Sequence, residues 1–452
     1  MLGSGAKTSQ FHSIDSGLLE RGLRASFYGL IVASSFSIAG IEAATLALFA
    51  CALIVRFRER SMWGVPAWLV APFVAVIFAE LLSAICNPET SKALWSMRGQ
   101  YRILLPFAML PAFHCIDPRR ALIALGVCVV LSALYGTIQF RFGVDWFRIL
   151  DESLVTPSQF DPTGTFHAKG TFSHHLTFAG VLLLNALLFL ALALCERTGL
   201  RWFWVLVAVA AITGVMTSMG RSTWLGLAIG GLVFALKLPR RWSVAIAASG
   251  LVLILAVALA LSTGFLKRHL DPVGSSALVK RFVNTSLESE KDRLYLWKAG
   301  WLGFVDHPLV GAGFANSGAN YQKYRELVAE RHGGHRYSAV PEAGVHNVFL
   351  QVAYSMGVVG LGSFVWMFAA LLVWCVRGIK QATSECSLDV GILWGTAAGL
   401  LGTLVAGLFQ NNYFDAEVQN MFGLTIGFAL FAGLKVQAKA VRNSRSSGVH
   451  SP

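Results

Sequence analysis

The sequence predicts an all-α polytopic integral membrane protein with about twelve transmembrane helices and a large helical outer loop. Three observations predict it. Of 452 residues, 55% are hydrophobic and only 13% charged, about half the ~25% charged share of a soluble domain. Mean hydropathy is +0.60. The apolar residues, roughly 249 of them, fall in runs, and at about 20 residues per bilayer crossing they supply about twelve crossings.

Apolar segments run over 23–38, 40–56, 67–86, 101–116, 119–140, 173–195, 201–218, 222–237, 242–263, 346–375, 388–410 and 416–436. Residues 25–55 are too long for one crossing and too short for two, and Ser34, Ser35, Ser37, Gly40 and Glu42 interrupt their middle. A short helical hairpin is expected there. Residues 1–263 then hold nine crossings with short loops and one outer loop near 141–172. Residues 264–345 form the large outer loop, 346–437 hold three more crossings, and 438–452 form a polar tail. The polar N-terminus carries no short apolar run before a small-residue site, so no cleaved signal peptide is expected.

Charge sets the orientation. A formal net charge of +13 would indicate nucleic acid in a soluble chain, but in a membrane chain Lys and Arg first report topology. With both termini cytoplasmic, 19 of the 37 basic residues fall on the inner side, 7 in short outer loops and 11 in 264–345. Long loops are exempt from the rule. The termini are therefore placed inside, and no nucleic-acid partner is expected. The seven cysteines form no CxxC pair, which argues against a zinc site or disulfide framework.

The long loop shows helical punctuation. Ser289 and Asp292 have capping-box spacing, and Leu294, Trp297, Trp301 and Phe304 recur at three- and four-residue steps until Pro308. This predicts an amphipathic helix whose tryptophans suit the membrane surface. A shorter, more charged helix is predicted from Tyr321 to Arg331.

Ionisable groups at the outer edge of a crossing are costly and need a reason. Arg221, in the tight turn Ser218-Met219-Gly220-Arg221-Ser222, reads either as a snorkelling interfacial cation or as an anion clamp on a rigid turn. Arg293, beside Asp292, is either solvated or poised for a bidentate phosphate contact at headgroup depth. His346 opens the tenth crossing, where the helix dipole favours neutral imidazole, the form a general base requires. Asn347 and Gln351 share a helix face with i, i+4 spacing and can orient a hydroxylated substrate. Gly357 and Gly360 fit close helix packing. Lys169 sits in a cluster with His167, His174 and His175 where the 141–172 loop re-enters the membrane, as a phosphate contact or an ordinary interfacial cation. Arg98 and Arg102 are similar. His332 and His335 lack the carboxylate or Cys that would complete a metal set.

The segment His346-Asn347, nine residues, Gly357, two residues, Gly360 resembles the signature of the O-antigen ligase superfamily. Arg221 before the eighth crossing, Arg293 followed by the Trp297 helix, and Gly311-Ala312-Gly313 occur in the family's order, and the resemblance covers roughly residues 160–430. It implies a GT-C-like ligase in the inner membrane of Gram-negative bacteria with its site facing the periplasm. The donor is O-antigen on undecaprenyl diphosphate and the acceptor a sugar hydroxyl of lipid A-core, with membrane lipids around it and neither metal, ATP nor other cofactor. On this reading Arg221, Arg293 and Lys169 hold the diphosphate, and His346 removes the acceptor proton in an inverting displacement. O-antigen polymerases and protein O-oligosaccharyltransferases share the superfamily. The short tail after the last crossing favours the ligase. A transporter of a lipid-linked sugar is the alternative of another class, though it would place its charges at the bilayer midplane between repeats.

Overall fold

A computed structural model describes residues 17–59, 64–87, 90–146, 166–237, 287–313, 317–331, 344–382 and 387–447. These residues fold as helices: α1 (Leu18–Phe36), α2 (Ile38–Glu59), α3 (Ala67–Ile85), α4 (Thr90–Ser96), α5 (Leu105–Ala108), α6 (Pro118–Phe142), α7 (His175–Cys195), α8 (Leu200–Thr217), α9 (Arg221–Leu232), α10 (Leu287–Asp306), α11 (Ser317–Arg331), α12 (Val348–Gln381), α13 (Leu388–Gly407) and α14 (Ala416–Ser447). Eight of them, α2, α3, α6, α7, α8, α12, α13 and α14, are long and apolar enough to cross a membrane. The apolar helix at 221–236 is shorter.

The expected hairpin is present: α1 and α2 meet at Ser37, whose extended backbone (φ −156°, ψ 117°) breaks the helix. Its hydroxyl accepts the Gly40 N–H at 3.0 Å, capping α2. The apolar segment 101–116 is not one helix. It runs as a 3-10 stretch (Met97–Leu104), the single turn of α5 and a second 3-10 stretch (Leu110–His114). Pro106 and Pro111 each remove a backbone donor and prevent a continuous ladder. The segment 242–263 and the pair His332 and His335 lie outside the described residues.

At the centre stands α7, apolar on every face and buried along nearly its whole length, as an all-round apolar helix must be. It is wrapped by α8, α9, α13 and α14. Glycines let α9 and α13 touch backbone to backbone: a Cβ at Gly226 would lie 2.5 Å from the Gly402 carbonyl, and one at Gly230 2.7 Å from that of Ala398. Small residues do this work in membranes, where burial alone gives helices no reason to associate.

One end of the bundle is stitched into a rim. Thr171 donates its hydroxyl to the Ser35 carbonyl, and the Ala168 N–H reaches the Thr217 carbonyl at 3.1 Å. Asn412 donates to the Leu176 carbonyl at 2.7 Å, and Ser222 to Gln410 at 2.8 Å. The opposite end carries the ion pairs Arg119–Glu196 and Lys435–Asp389, at 3.1 and 3.0 Å.

Candidate functional site

The rim holds the sequence-predicted residues. Arg221 is the first residue of α9, at the end of a helix dipole that repels a cation. The turn before it is held hard. The Ser218 hydroxyl accepts the Gly220 N–H at 3.2 Å, the Thr223 hydroxyl donates to the Gly220 carbonyl at 2.6 Å, and the Trp224 indole donates to the Val215 carbonyl at 3.0 Å. Met219, fully buried, takes a left-handed backbone with φ 59°.

His346 has the same unusual backbone, with φ 52°. Among the described residues these are the two non-glycines in that region. Strain of this kind costs about 1–3 kcal/mol and persists only where its surroundings over-determine it. Here they do. Asn347 caps α12, its Oδ1 accepting the Leu350 N–H at 3.0 Å, while its Nδ2 donates to the Leu408 carbonyl at 2.9 Å. Gln351 accepts from the Val345 N–H at 3.2 Å and from Asn411 at 3.3 Å. These two amides fix the backbone on either side of His346, and Asn347 spends both ends of its side chain doing so.

The loop helices dock against this segment. The helix α10 begins at Leu287, so Ser289 lies within its first turn and not ahead of it. Its inner face buries Leu296 and Ala299 in a cluster with Tyr321, Tyr324 and Val328 of α11 and with Val345 and Tyr354. A Cβ at Gly300 would sit 2.8 Å from Val345, and one at Gly303 would overlap the Tyr354 ring. Trp297 turns inward, its ring 6.1 Å from that of Phe409. Leu294, Trp301 and Val305 remain more than half exposed on the outer face, so Trp301 alone of the two tryptophans keeps the outward position expected of both.

This docking brings Arg293 into the electrostatic field of His346. Loss of surrounding water lowers the His346 pKa, and Arg293 and His174 lower it further. The imidazole is thereby kept neutral below the usual histidine range, with its basic nitrogen available. His174, the N-cap of α7, accepts the Leu176 N–H on Nδ1 at 3.2 Å. Its own pKa is lowered by desolvation and then by Lys169. His174 and His175 lie with rings 4.2 Å apart, and His167 and His175 4.8 Å. Lys169 itself is paired: Nζ lies 3.0 Å from the buried Asp145 carboxylate, which also accepts the Tyr135 hydroxyl at 2.9 Å.

The structure thus joins Arg293, His346, Asn347 and Gln351 in one constellation and adds His174, with Lys169 behind it. Arg221 reaches the same rim through its neighbour Ser222 and Gln410. Sequence reasoning placed His174 in a histidine cluster but did not connect it to His346. Asp145 gave no signal, because its partner lies 24 positions away across a long loop.

Gly357 explains the glycine of the sequence signature. It interrupts α12 with φ 64° and ψ −162°, splitting it into two helical pieces. The freed donors of Val358 and Val359 go to the carbonyls of Pro308 (2.8 Å) and Leu309 (3.3 Å), and the Ala312 N–H goes to the Tyr354 carbonyl at 2.7 Å. The turn after α10 is therefore hooked into the break. Gly357 and Gly311 serve backbone contact between loop and helix, in place of the helix–helix packing expected for Gly357.

An imidazole whose protonated form is disfavoured by burial and by the field of a guanidinium, held at a capped helix start, suits proton abstraction next to an anion. A family model described as O-Antigen ligase matches residues 206–365, the stretch that contains Arg221, Arg293, His346, Gly357 and Gly360. The match is narrower than the expected span of 160–430. No curated protein matches the chain.

Proposed function

Since the segment 206–365 belongs to the O-antigen ligase family, we propose that this protein is a metal-independent, inverting glycosyltransferase of GT-C-like architecture. It moves O-antigen polysaccharide from undecaprenyl diphosphate to a sugar hydroxyl of lipid A-core. Its rim faces the periplasm from the inner membrane, with both termini cytoplasmic. The observation that carries this reading is the docking of α10, which bears Arg293, against the His346 segment, whose left-handed backbone is anchored on both sides, within the stretch that the family model matches.

In this mechanism His346 takes the proton of the acceptor hydroxyl as its oxygen attacks the anomeric carbon, a role worth ~10²–10⁴-fold in rate. The glycosidic bond to the diphosphate breaks, and Arg221 and Arg293 stabilise the charge that grows on the leaving group. Lys169, held by Asp145, supplies a more distant positive charge. Asn347 and Gln351 orient the reaction by fixing the His346 backbone. The donor carries its own energy in the phosphate ester, so no nucleotide is consumed.

The polymerase reading of the same superfamily is separated by the lipopolysaccharide of a deletion strain. A ligase null loses the whole O-antigen ladder and accumulates polymer on the undecaprenyl carrier. A core bearing a single repeat unit would instead identify a polymerase. Transfer of glycan by purified protein in detergent excludes the transporter reading.

A further inference from the structure

The loop just before His174 forms one wall of a cavity of about 250 Å³, and the α1–α2 turn forms the other. Three serines of that turn (Ser34, Ser35 and Ser37), together with Thr171 and Ser173, line it, and Glu417 of α14 contributes a carboxylate. Glu417 is only 5% exposed. Among the described residues no Lys, Arg or His lines the space, so a phosphate would meet no counter-charge from them. The hydroxyls interrupt the lining too often for an acyl chain to be covered without stranding polar groups.

What this lining satisfies is an uncharged, polyhydroxylated ring. Serine and threonine hydroxyls both donate and accept, and a carboxylate accepts from two neighbouring hydroxyls at once. The Ser34 hydroxyl donates to the Ile31 carbonyl at 2.7 Å and that of Thr171 to the Ser35 carbonyl, which holds the hydroxyls of both walls in place. Phe172, 4% exposed, adds an aromatic wall. Arg102 lies within electrostatic reach of Glu417 without entering the lining. Ser173 adjoins His174, which shares the field of His346, so a ring held here belongs to the same rim as the proposed base.

We propose that this cavity is a sugar subsite, occupied by one ring of the acceptor or donor glycan. The proposal rests on the transferase reading for the identity of its ligand but not for the existence of the site. The test is equilibrium binding in detergent of two probes, each alone so that no turnover occurs: lipid A-core, and an undecaprenyl diphosphate oligosaccharide. Glu417→Gln removes the charge, and Ser173→Trp fills the cavity mouth without altering any charge. Both are expected to weaken one probe by about 10- to 100-fold, the worth of one or two hydrogen bonds to a charged group, and the probe affected identifies the source of the ring. Gly362→Ala, where nothing lies within 4 Å of the added carbon, should bind both probes as the wild type does. Wild-type affinity for both probes in both variants would overturn the subsite, as would failure of the wild type to bind either. Variant-sensitive binding in a wild-type protein that transfers nothing would keep the subsite and remove the transferase reading.

Discussion

Gly357 lies so close to the carbonyl of Leu309 that a single added methyl group would overlap it. This contact joins the break in α12 to the turn after α10, and so joins the helix that carries Arg293 to the one that follows His346. Gly357→Ala must also hold φ 64° with ψ −162°, a conformation essentially confined to glycine, at about 1–3 kcal/mol, against a neighbour that is backbone and cannot turn aside. Transfer is expected to fall more than about tenfold, with a lower melting temperature in detergent. Gly362→Ala, where nothing lies within 4 Å of the added carbon, is the control and should behave as wild type. Equal behaviour of the two variants would refute the clasp.

Burial, and after it the charge of Arg293, lowers the pKa of His346. A cation beside an imidazole disfavours its protonated form, so removing the cation raises the pKa. Arg293→Gln is expected to move the acid limb of the kcat/KM profile to higher pH, whatever it does to the maximum. His174→Gln should move it the same way by less, since His174 contributes less than Arg293. An acid limb that stays in place in Arg293→Gln would separate the two residues.

The Lys169–Asp145 pair is largely buried, and breaking a buried pair by removing one partner costs about 3–5 kcal/mol because the other charge is stranded. Asp145→Asn and Lys169→Met should each destabilise the protein strongly, and the double variant should lose much less than the sum. Additive losses in thermal unfolding would show that the two groups act separately.

Asp415 accepts the Thr177 hydroxyl at 2.5 Å. Burial pushes its pKa up to about 6; Thr177 opposes that shift and Glu417 adds to it. Its folded pKa exceeds the ordinary carboxylate value of ~4, so the stability tied to its protonated form is present below that value and lost as pH rises through about 6. Asp415→Asn should therefore be stabilised relative to wild type at pH 7.5 and show little advantage at pH 4. Melting curves at the two pH values check the sign.

Much of this architecture was legible because bilayer crossings leave long periodic runs. The hairpin break at Ser37, the α10 and α11 helices and the His346 position all follow from local chemistry. The stretch 101–116 departs from the expected single crossing because hydropathy does not register the backbone donor lost at Pro106 and at Pro111. The role of Gly357 was hidden for another reason. A glycine that packs helices and a glycine that admits a loop backbone have the same sequence, and only the position of Leu309 distinguishes them. Asn347 looked like a substrate contact because its partners, Leu350 and Leu408, are backbone atoms that carry no sequence signal. The salt bridge to Asp145 and the approach of His174 to His346 are products of tertiary folding across long intervals.

The most direct measurement is glycan transfer from undecaprenyl diphosphate to lipid A-core by purified protein, comparing wild type with His346→Ala at matched folded content. Loss of the general base predicts a fall of about 10²–10⁴-fold in kcat, with donor binding unchanged. Transfer by His346→Ala at near the wild-type rate would contradict the account.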